Sequence, residues 1–256
     1  MILGGVTTNP SPAAGSAIDG PANLRDVRGL RTHDGRIVRR GVLYRSEALR
    51  SRSIDGVGSN DVAIWPPTTV IDLRAPEEHL TAHPLDVDGT VVHSVPLGVS
   101  LAPALAAVRD DHPDLALAYR HLAKDAAGEI ARIVGLVARA DGPVLVHCTA
   151  GKDRTGIVVA VLLRAVGVRH EDVMADYLRT EANLPRLWAA LTAAGVPSPR
   201  NSALLGVQAE ALEGVLDDVD ATEGGTAGWL VEHGVDPADI ERLSARLLSA
   251  VYAPAA

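Results

Sequence analysis

The sequence predicts an α/β fold in which a central, mainly parallel β-sheet is flanked by helices. Three observations carry that expectation. Short apolar runs rich in β-branched residues alternate with longer stretches of helical periodicity. One such run, Val144 to His147, passes through a glycine-containing loop into the apolar stretch Gly156 to Leu163, which reads as a buried helix. The last third of the chain carries helical patterning, so the C-terminal region is expected to be helical.

Taken in order, residues 1 to 22 are rich in Gly, Pro, Ala, Ser and Thr and lack a sustained period. They are expected to form a flexible tail, leaving residues 23 to 256 as a single domain. Strands are expected at Ile37 to Tyr44, Thr69 to Leu73, Thr90 to Val95 and Val144 to His147. Ile130, Ile133, Val134 and Val137 follow the i, i+3, i+4, i+7 pattern of a helix packed on a sheet. Glu171 to Ala194 reads as two helical segments broken at Pro185, because proline removes a helical N–H and crowds the preceding turn. Within it, Leu184, Leu187, Trp188 and Leu191 make an apolar stripe that suits either a core contact or the underside of a lid. Asp236-Pro237 looks like an N-cap with proline at the first helical position, opening a last helix to about Val251.

The loop between Val144–His147 and the following helix concentrates the chemistry. It reads His147-Cys148-Thr149-Ala150-Gly151-Lys152-Asp153-Arg154-Thr155 and holds the only cysteine of the chain. At a strand-to-helix turn the first N–H groups of the helix are unpaired, and with the helix dipole they make an anion site. A thiol placed there beside a cation is ordinarily ionised near neutral pH, which makes Cys148 a candidate nucleophile. Arg154 offers a planar fork of donors that can hold two oxygens of a phosphoryl group, a task lysine cannot match. Gly151 permits the tight turn that lets successive N–H groups of residues 148 to 154 converge on one oxyanion. Asp153 lies between two cations and can protonate a leaving oxygen, and the Thr155 hydroxyl is expected to donate to the Cys148 sulfur. A lone cysteine after a buried strand is by itself more often a packed apolar residue. The histidine before it and the glycine and arginine after it overturn that reading.

These residues resemble the H-C-x5-R-[ST] signature of the protein tyrosine phosphatase superfamily and, more narrowly, the bacterial tyrosine phosphatase family with a C-x-x-G-K-D-R loop. Asn23-Leu24-Arg25-Asp26, Gly41-Val42-Leu43-Tyr44-Arg45-Ser46 and Val70-Ile71-Asp72-Leu73-Arg74 are similar to segments that this family carries ahead of its loop, so the resemblance covers residues 23 to 180. It implies a phosphatase-type strand-loop-helix, a helical lid over the site, and hydrolysis of a phosphate monoester in two steps through a phosphocysteine, without metal or other cofactor. It also implies that the general acid is Asp153. Asp72 is the competing candidate, since it ends an apolar strand whose C-terminal edge would face a ligand crevice; a pairing with Arg74 explains it equally well. Lys152 is one of two lysines against 22 arginines. Basic loop residues of this type are shared with phosphoinositide phosphatases, so phosphotyrosine proteins lead as substrates, with nucleotide, sugar or inositol phosphates as the alternative and an inactive phosphate-binding module as the opposing class.

Other chemistries are excluded by the residues themselves. Gly151-Lys152 is not a nucleotide P-loop, because Val146 stands where its first glycine belongs and Asp153 where Ser or Thr would hold Mg²⁺. One cysteine cannot make a zinc site of cysteine type or an intrachain disulfide. No H-E-x-x-H pair occurs, and His33, His79, His83, His93, His112, His121, His170 and His233 are expected at surfaces and turns, so no metal site is expected. The net charge of -8, with few aromatic residues, argues against nucleic acid. The longest apolar run, Ile157 to Leu163, is too short to span a bilayer, and no signal-peptide pattern opens the chain, so a cytoplasmic protein is expected. Charge is uneven: residues 25 to 52 hold nine arginines, whereas residues 201 to 241 hold ten acidic side chains and no Lys or Arg. The basic segment is suited to steering a phosphorylated substrate toward the loop, and arginines on an exposed hairpin account for it equally well.

Overall fold

Five strands build the sheet, in the order β1-β2-β5-β3-β4. They are β1 (Arg25–Asp26), β2 (Leu43–Ser46), β3 (Thr69–Asp72), β4 (Val91–Ser94) and β5 (Val144–His147). Only the β1–β2 pair is antiparallel; β2–β5, β5–β3 and β3–β4 run parallel. The computed structural model describes residues 20–50, 54, 57–58, 62–79, 81–98, 101, 114–199 and 202–250. Among these, seven helices surround the sheet: α1 (Leu115–Asp125), α2 (Ala127–Arg139), α3 (Asp153–Ala165), α4 (His170–Ala193), α5 (Ala209–Asp220), α6 (Gly225–Glu232) and α7 (Pro237–Leu247). The α/β expectation therefore holds. No helix among the described residues is long and apolar enough to cross a membrane.

The central strands are buried on both faces, which is why they read as continuous apolar runs rather than alternating ones. Leu43, Ile71, Val144 and Val146 face the main core with Ile130, Ile133, Val134 and Val137 of α2 and the apolar residues of α3. Tyr44, Val70 and Leu145 face a second, smaller cluster with Leu24, Leu49, Val62 and Leu85. At the other end of the register Ser46, His147 and Asp72 lie side by side, so three parallel strands end together where the loop begins. This is the crevice at strand C-termini where open α/β sheets bind ligands.

Several boundaries differ from the sequence expectation. The strand expected at Ile37 to Tyr44 begins only at Leu43. Gly41, at φ 81°, turns the chain and donates its N–H to Asp26, so Ile37 and Val38 are left to isolated bridges with Arg31 and Leu248. The loop helix starts at Asp153 rather than Gly156, because its first turn is made of the polar residues that face the loop. Pro185 does not break α4, which runs unbroken from His170 to Ala193. Pro185 lies on the exposed side of the helix, where water can take the carbonyl that proline leaves unpaired. The last helix ends at Leu247; Leu248 turns to extended backbone and bridges to Val38, and the expected end at Val251 lies outside the described residues. Its start is as expected, with the Asp236 carboxylate accepting from the Ala238 N–H. Residues 1–19 of the expected tail, and His112, also lie outside the described residues. Gly20, Pro21 and Ala22, grouped with the tail by composition, are buried, and Ala22 and Asn23 donate their N–H groups to the Glu47 carboxylate.

Candidate active site at the loop between β5 and α3

The loop is built on Gly151. It adopts φ +65°, and a Cβ there would meet the Ser46 carbonyl at 2.3 Å and the Glu47 nitrogen at 2.5 Å, so no other residue fits. Its N–H donates to Cys148 Sγ at 3.2 Å. Its carbonyl accepts from Asn23 Nδ2 at 3.2 Å and from Arg45 Nη2 at 3.1 Å. Both donors are buried, and Arg45 is held in turn by Asp176 at 2.8 Å, which also binds Arg25 at 3.0 Å. A buried Arg25–Asp176–Arg45 triad thus braces the backbone beneath Cys148. Burial alone would raise the Asp176 carboxyl, but the two arginines outweigh it and hold it below the ordinary range.

Asp153 and Arg154 open α3, and Cys148 and Asp153 lie close enough to Arg154 to act on its charge. Arg154 is buried and its fork grips Glu78, with Nη1 to Oε2 at 2.6 Å and Nη2 to Oε1 at 2.7 Å; Nη1 also donates to the carbonyls of Leu73 and Gly98. Burial would lower the Arg154 pKa, yet Glu78 and the Cys148 sulfur raise it, so the cation is secure at every working pH. Glu78 also takes the Thr149 hydroxyl and the Ala75 N–H. Its carboxyl is held down by Arg154 and Thr149 against the effect of burial. Glu78 is not legible as a site residue in the sequence. It sits in a 3₁₀ turn, Pro76–Glu78, whose only sequence signal is a Pro-Glu-Glu run two residues after Arg74.

Asp153 is half-buried, and the Tyr119 hydroxyl donates to its Oδ1. Lys152 Nζ lies 3.4 Å from the same oxygen. That leaves Oδ2 as the oxygen free to carry a proton. Tyr119, itself 3.0 Å from the Tyr177 hydroxyl, was not singled out by the sequence; it arrives from α1, which lies distant in sequence. Lys152 is buried and donates to the carbonyls of Leu204 and Gly206 at 2.7 and 2.6 Å, so it ties down the turn before α5 rather than facing solvent.

Other expected members fall elsewhere. The Thr155 hydroxyl makes no bond to Cys148; it is buried and without a partner among the described residues, while the sulfur's bond comes from Gly151. Asp72 is buried and gripped by Arg74 through bonds of 2.7 to 3.2 Å, the pairing given above as its alternative explanation. Burial would raise its carboxyl, but the neighbouring His147 and Arg74 hold it well below the ordinary range. His83 is in a turn, as expected, yet it is directed inward onto His147, with the Nε2 atoms 3.0 Å apart. Asp72, His83 and His147 together form a cluster with ligand atoms within 4.8 Å of one another, a grouping the sequence did not reveal.

Leu187 and Leu191 of α4, with Leu184 and Trp188 at their flanks, pack on Ala150 of the loop and Ala22, in a cluster separate from the main core. The stripe therefore packs α4 onto the loop as a small buried cluster, and Trp188 Nε1 anchors it by donating to the Leu205 carbonyl at 2.9 Å.

Comparison with known proteins agrees with this architecture. The profile of the tyrosine phosphatase family matches residues 16–249. The chain is 31% identical over 284 residues to the triple specificity protein phosphatase PtpB of Mycobacterium tuberculosis, covering 90% of this chain and 98% of that protein. It is 29% identical over 260 residues to a Cupriavidus necator protein provisionally named a tyrosine-protein phosphatase, covering 86% of each. The chain belongs to the tyrosine phosphatase family and is a phosphoric monoester hydrolase of that type.

Proposed function

We propose that this member of the tyrosine phosphatase family hydrolyses phosphotyrosine on proteins, with Cys148 as nucleophile, Arg154 as the phosphoryl clamp and Asp153 as the general acid. The observation that carries the reading is the placement of Cys148 and Asp153 beside the Arg154 guanidinium at the start of α3, with α4 packed on the loop. Cys148 Sγ attacks phosphorus in line with the leaving oxygen, and the S–P bond forms as the P–O bond breaks. Asp153 Oδ2 delivers its proton to the departing tyrosine oxygen. The phosphoryl oxygens sit against the unpaired N–H groups at the start of α3 and against Arg154, whose plane Glu78 fixes. A water then attacks the phosphocysteine, giving its proton back to Asp153, and phosphate leaves with the thiolate restored.

Phosphotyrosine is the preferred substrate because the relatives are named as tyrosine or multiple-specificity protein phosphatases. Lys152 is committed to Leu204 and Gly206, which removes the basic side chain a polyphosphorylated inositol would have used. A single cysteine with no possible intrachain disulfide suits a reducing cytoplasm, and residues 23 to 256 suit one domain. The test is release of phosphate from p-nitrophenyl phosphate in EDTA, followed by kcat/KM across phosphotyrosine peptides, nucleotides, sugar phosphates and phosphoinositides. Cys148→Ser should abolish turnover while phosphate still binds. Turnover within tenfold of wild type removes Cys148 as nucleophile, and a higher kcat/KM for a small metabolite than for every phosphopeptide overturns the substrate assignment.

A further inference from the structure

The geometry points to His83 as a positioning residue that selects the tautomer of His147 and so holds the Cys148 peptide group in place; this rests on Cys148 being the nucleophile. His147 is fully buried at the end of β5, and its two ring nitrogens have different neighbours. Nδ1 lies 3.3 Å from the Cys148 carbonyl oxygen. A carbonyl only accepts, so this contact is a hydrogen bond only when the proton is on Nδ1. Nε2 then presents a lone pair, 3.0 Å from His83 Nε2 and 3.7 Å from Asp72 Oδ2. The tautomer of His83 is set from its other side. The Leu85 backbone N–H donates to His83 Nδ1 at 3.1 Å, which leaves the His83 proton on Nε2, aimed at His147. The result is a one-way relay: Leu85 N–H to His83, His83 N–H to His147, His147 N–H to the first carbonyl of the loop.

Asp72 competes for the same nitrogen. A carboxylate beside Nε2 favours a proton there, which would turn the Nδ1 lone pair onto the Cys148 carbonyl oxygen and replace a bond by repulsion. Arg74 blunts this by occupying both oxygens of Asp72, Nε on Oδ1 and Nη2 on Oδ2, and the His79 ring lies on the same carboxylate at 3.6 Å. Burial keeps His147 neutral, its pKa lowered to about 4, so the position of one proton rather than the charge of the ring is what the surroundings decide. His83 supplies the deciding donor.

Asp72, His83 and His147 are also close enough together for a divalent metal. The Leu85 N–H opposes that use. A metal on His83 Nε2 needs the lone pair there, which moves the ring proton to Nδ1, against another N–H. Arg74 would have to leave Asp72 as well.

The test reads the ring protons directly, by nitrogen-15 NMR of the imidazoles in wild type, His83→Ala and His83→Gln, alongside kcat and the rate of Cys148 alkylation by iodoacetamide at neutral pH. The expected wild-type spectrum has the His147 proton on Nδ1. His83→Ala should move it to Nε2 and lower both rates by roughly tenfold, the order of one lost supporting hydrogen bond. His83→Gln, whose amide N–H replaces the donor, should restore the tautomer and most of both rates. A wild-type proton on Nε2, or His83→Ala leaving it on Nδ1, overturns the proposal, and so does stoichiometric Zn²⁺ binding that shifts both rings. If His83→Ala does not fold, the wild-type and His83→Gln spectra still decide. Cys148→Ser separates the two readings, since the tautomer is read there without turnover, and an active Cys148→Ser enzyme would sink the nucleophile while leaving the relay standing.

Discussion

Arg154 is bound on one side before any substrate arrives. Glu78 holds it by two parallel bonds, which fixes the guanidinium plane and presents its remaining donors in a set direction. A lysine cannot span both Glu78 oxygens and still reach a phosphoryl group, so Arg154→Lys should lower kcat by roughly 10² to 10³ and change KM far less. A loss below fivefold in steady-state assays would make the arginine structural. The assignment of the acid depends on how much help the leaving group needs. Asp153→Asn should cost on the order of 10² to 10⁴ in kcat with phosphotyrosine and distinctly less with p-nitrophenyl phosphate, whose phenolate leaves almost unaided. Asp72, committed to Arg74 and held ionised, should show little leaving-group dependence when changed to Asn. The opposite ranking would hand the acid's role to Asp72. Cys148, Asp153 and Arg154 were legible in the sequence because a seven-residue window carries them and the helix N-terminus supplies the rest. Glu78, Tyr119 and Asp176 were not, because they reach the site from separate segments and each reads alone as an ordinary surface or helical residue.

Helices and strands were legible where burial and chain direction agreed. β5 sits in the middle of the sheet, closed on both faces, and its boundaries match the apolar run Val144 to His147 to the residue. β2 was misplaced because its apolar pattern continues across Gly41, where the backbone turns away and residues 37 and 38 serve a different contact. α4 was expected to break because proline in a helix is costly, but the cost falls where the bare carbonyl faces water. Two glycines separate conformational need from accident. Gly151→Ala must push a methyl into backbone atoms of residues 46 and 47 at a positive φ, so it should abolish activity and destabilise by about 1–3 kcal/mol or more. Gly128→Ala, in the first turn of α2 with nothing within 4 Å of the added methyl, should instead stabilise by about 0.5 kcal/mol and leave kcat unchanged. Urea midpoints and p-nitrophenyl phosphate turnover on both variants check this, and a tolerant Gly151→Ala would mean the loop is not held as tightly as Asn23 and Arg45 imply.

Across the whole molecule, the groups that position the loop are buried ionisable side chains, so folding stability and site integrity share one dependence on pH. His147 is held neutral by burial, its pKa lowered from 6.5 to about 4, and His83 is lowered in the same direction by its own burial. Between pH 6.5 and about 4 the unfolded chain therefore binds protons that the folded chain refuses, and stability must fall as the solution is acidified through that window. The carboxylates act in a separate, lower window. Asp176, Asp72 and Glu78 are depressed in the fold despite burial, so their stabilisation is complete above the ordinary carboxyl range and drains away only as pH falls below it. Acid unfolding should accordingly have two stages, a histidine stage in which proton uptake by the unfolded chain lowers stability while the folded site stays intact, and a carboxylate stage that dissolves the Arg25–Asp176–Arg45 triad and the Glu78–Arg154 pair. For His147 alone the linkage amounts to about 2 kcal/mol between pH 7.5 and 5. Urea unfolding at pH 7.5, 5 and 3.5, with the His147 ring followed by NMR, measures both stages. A free energy of unfolding that stays level from pH 7.5 to 5 and drops only below 4.5, or a His147 ring that titrates near 6.5, would show that the ring is not sealed from water and that the fold does not hold the neighbour of Cys148 neutral.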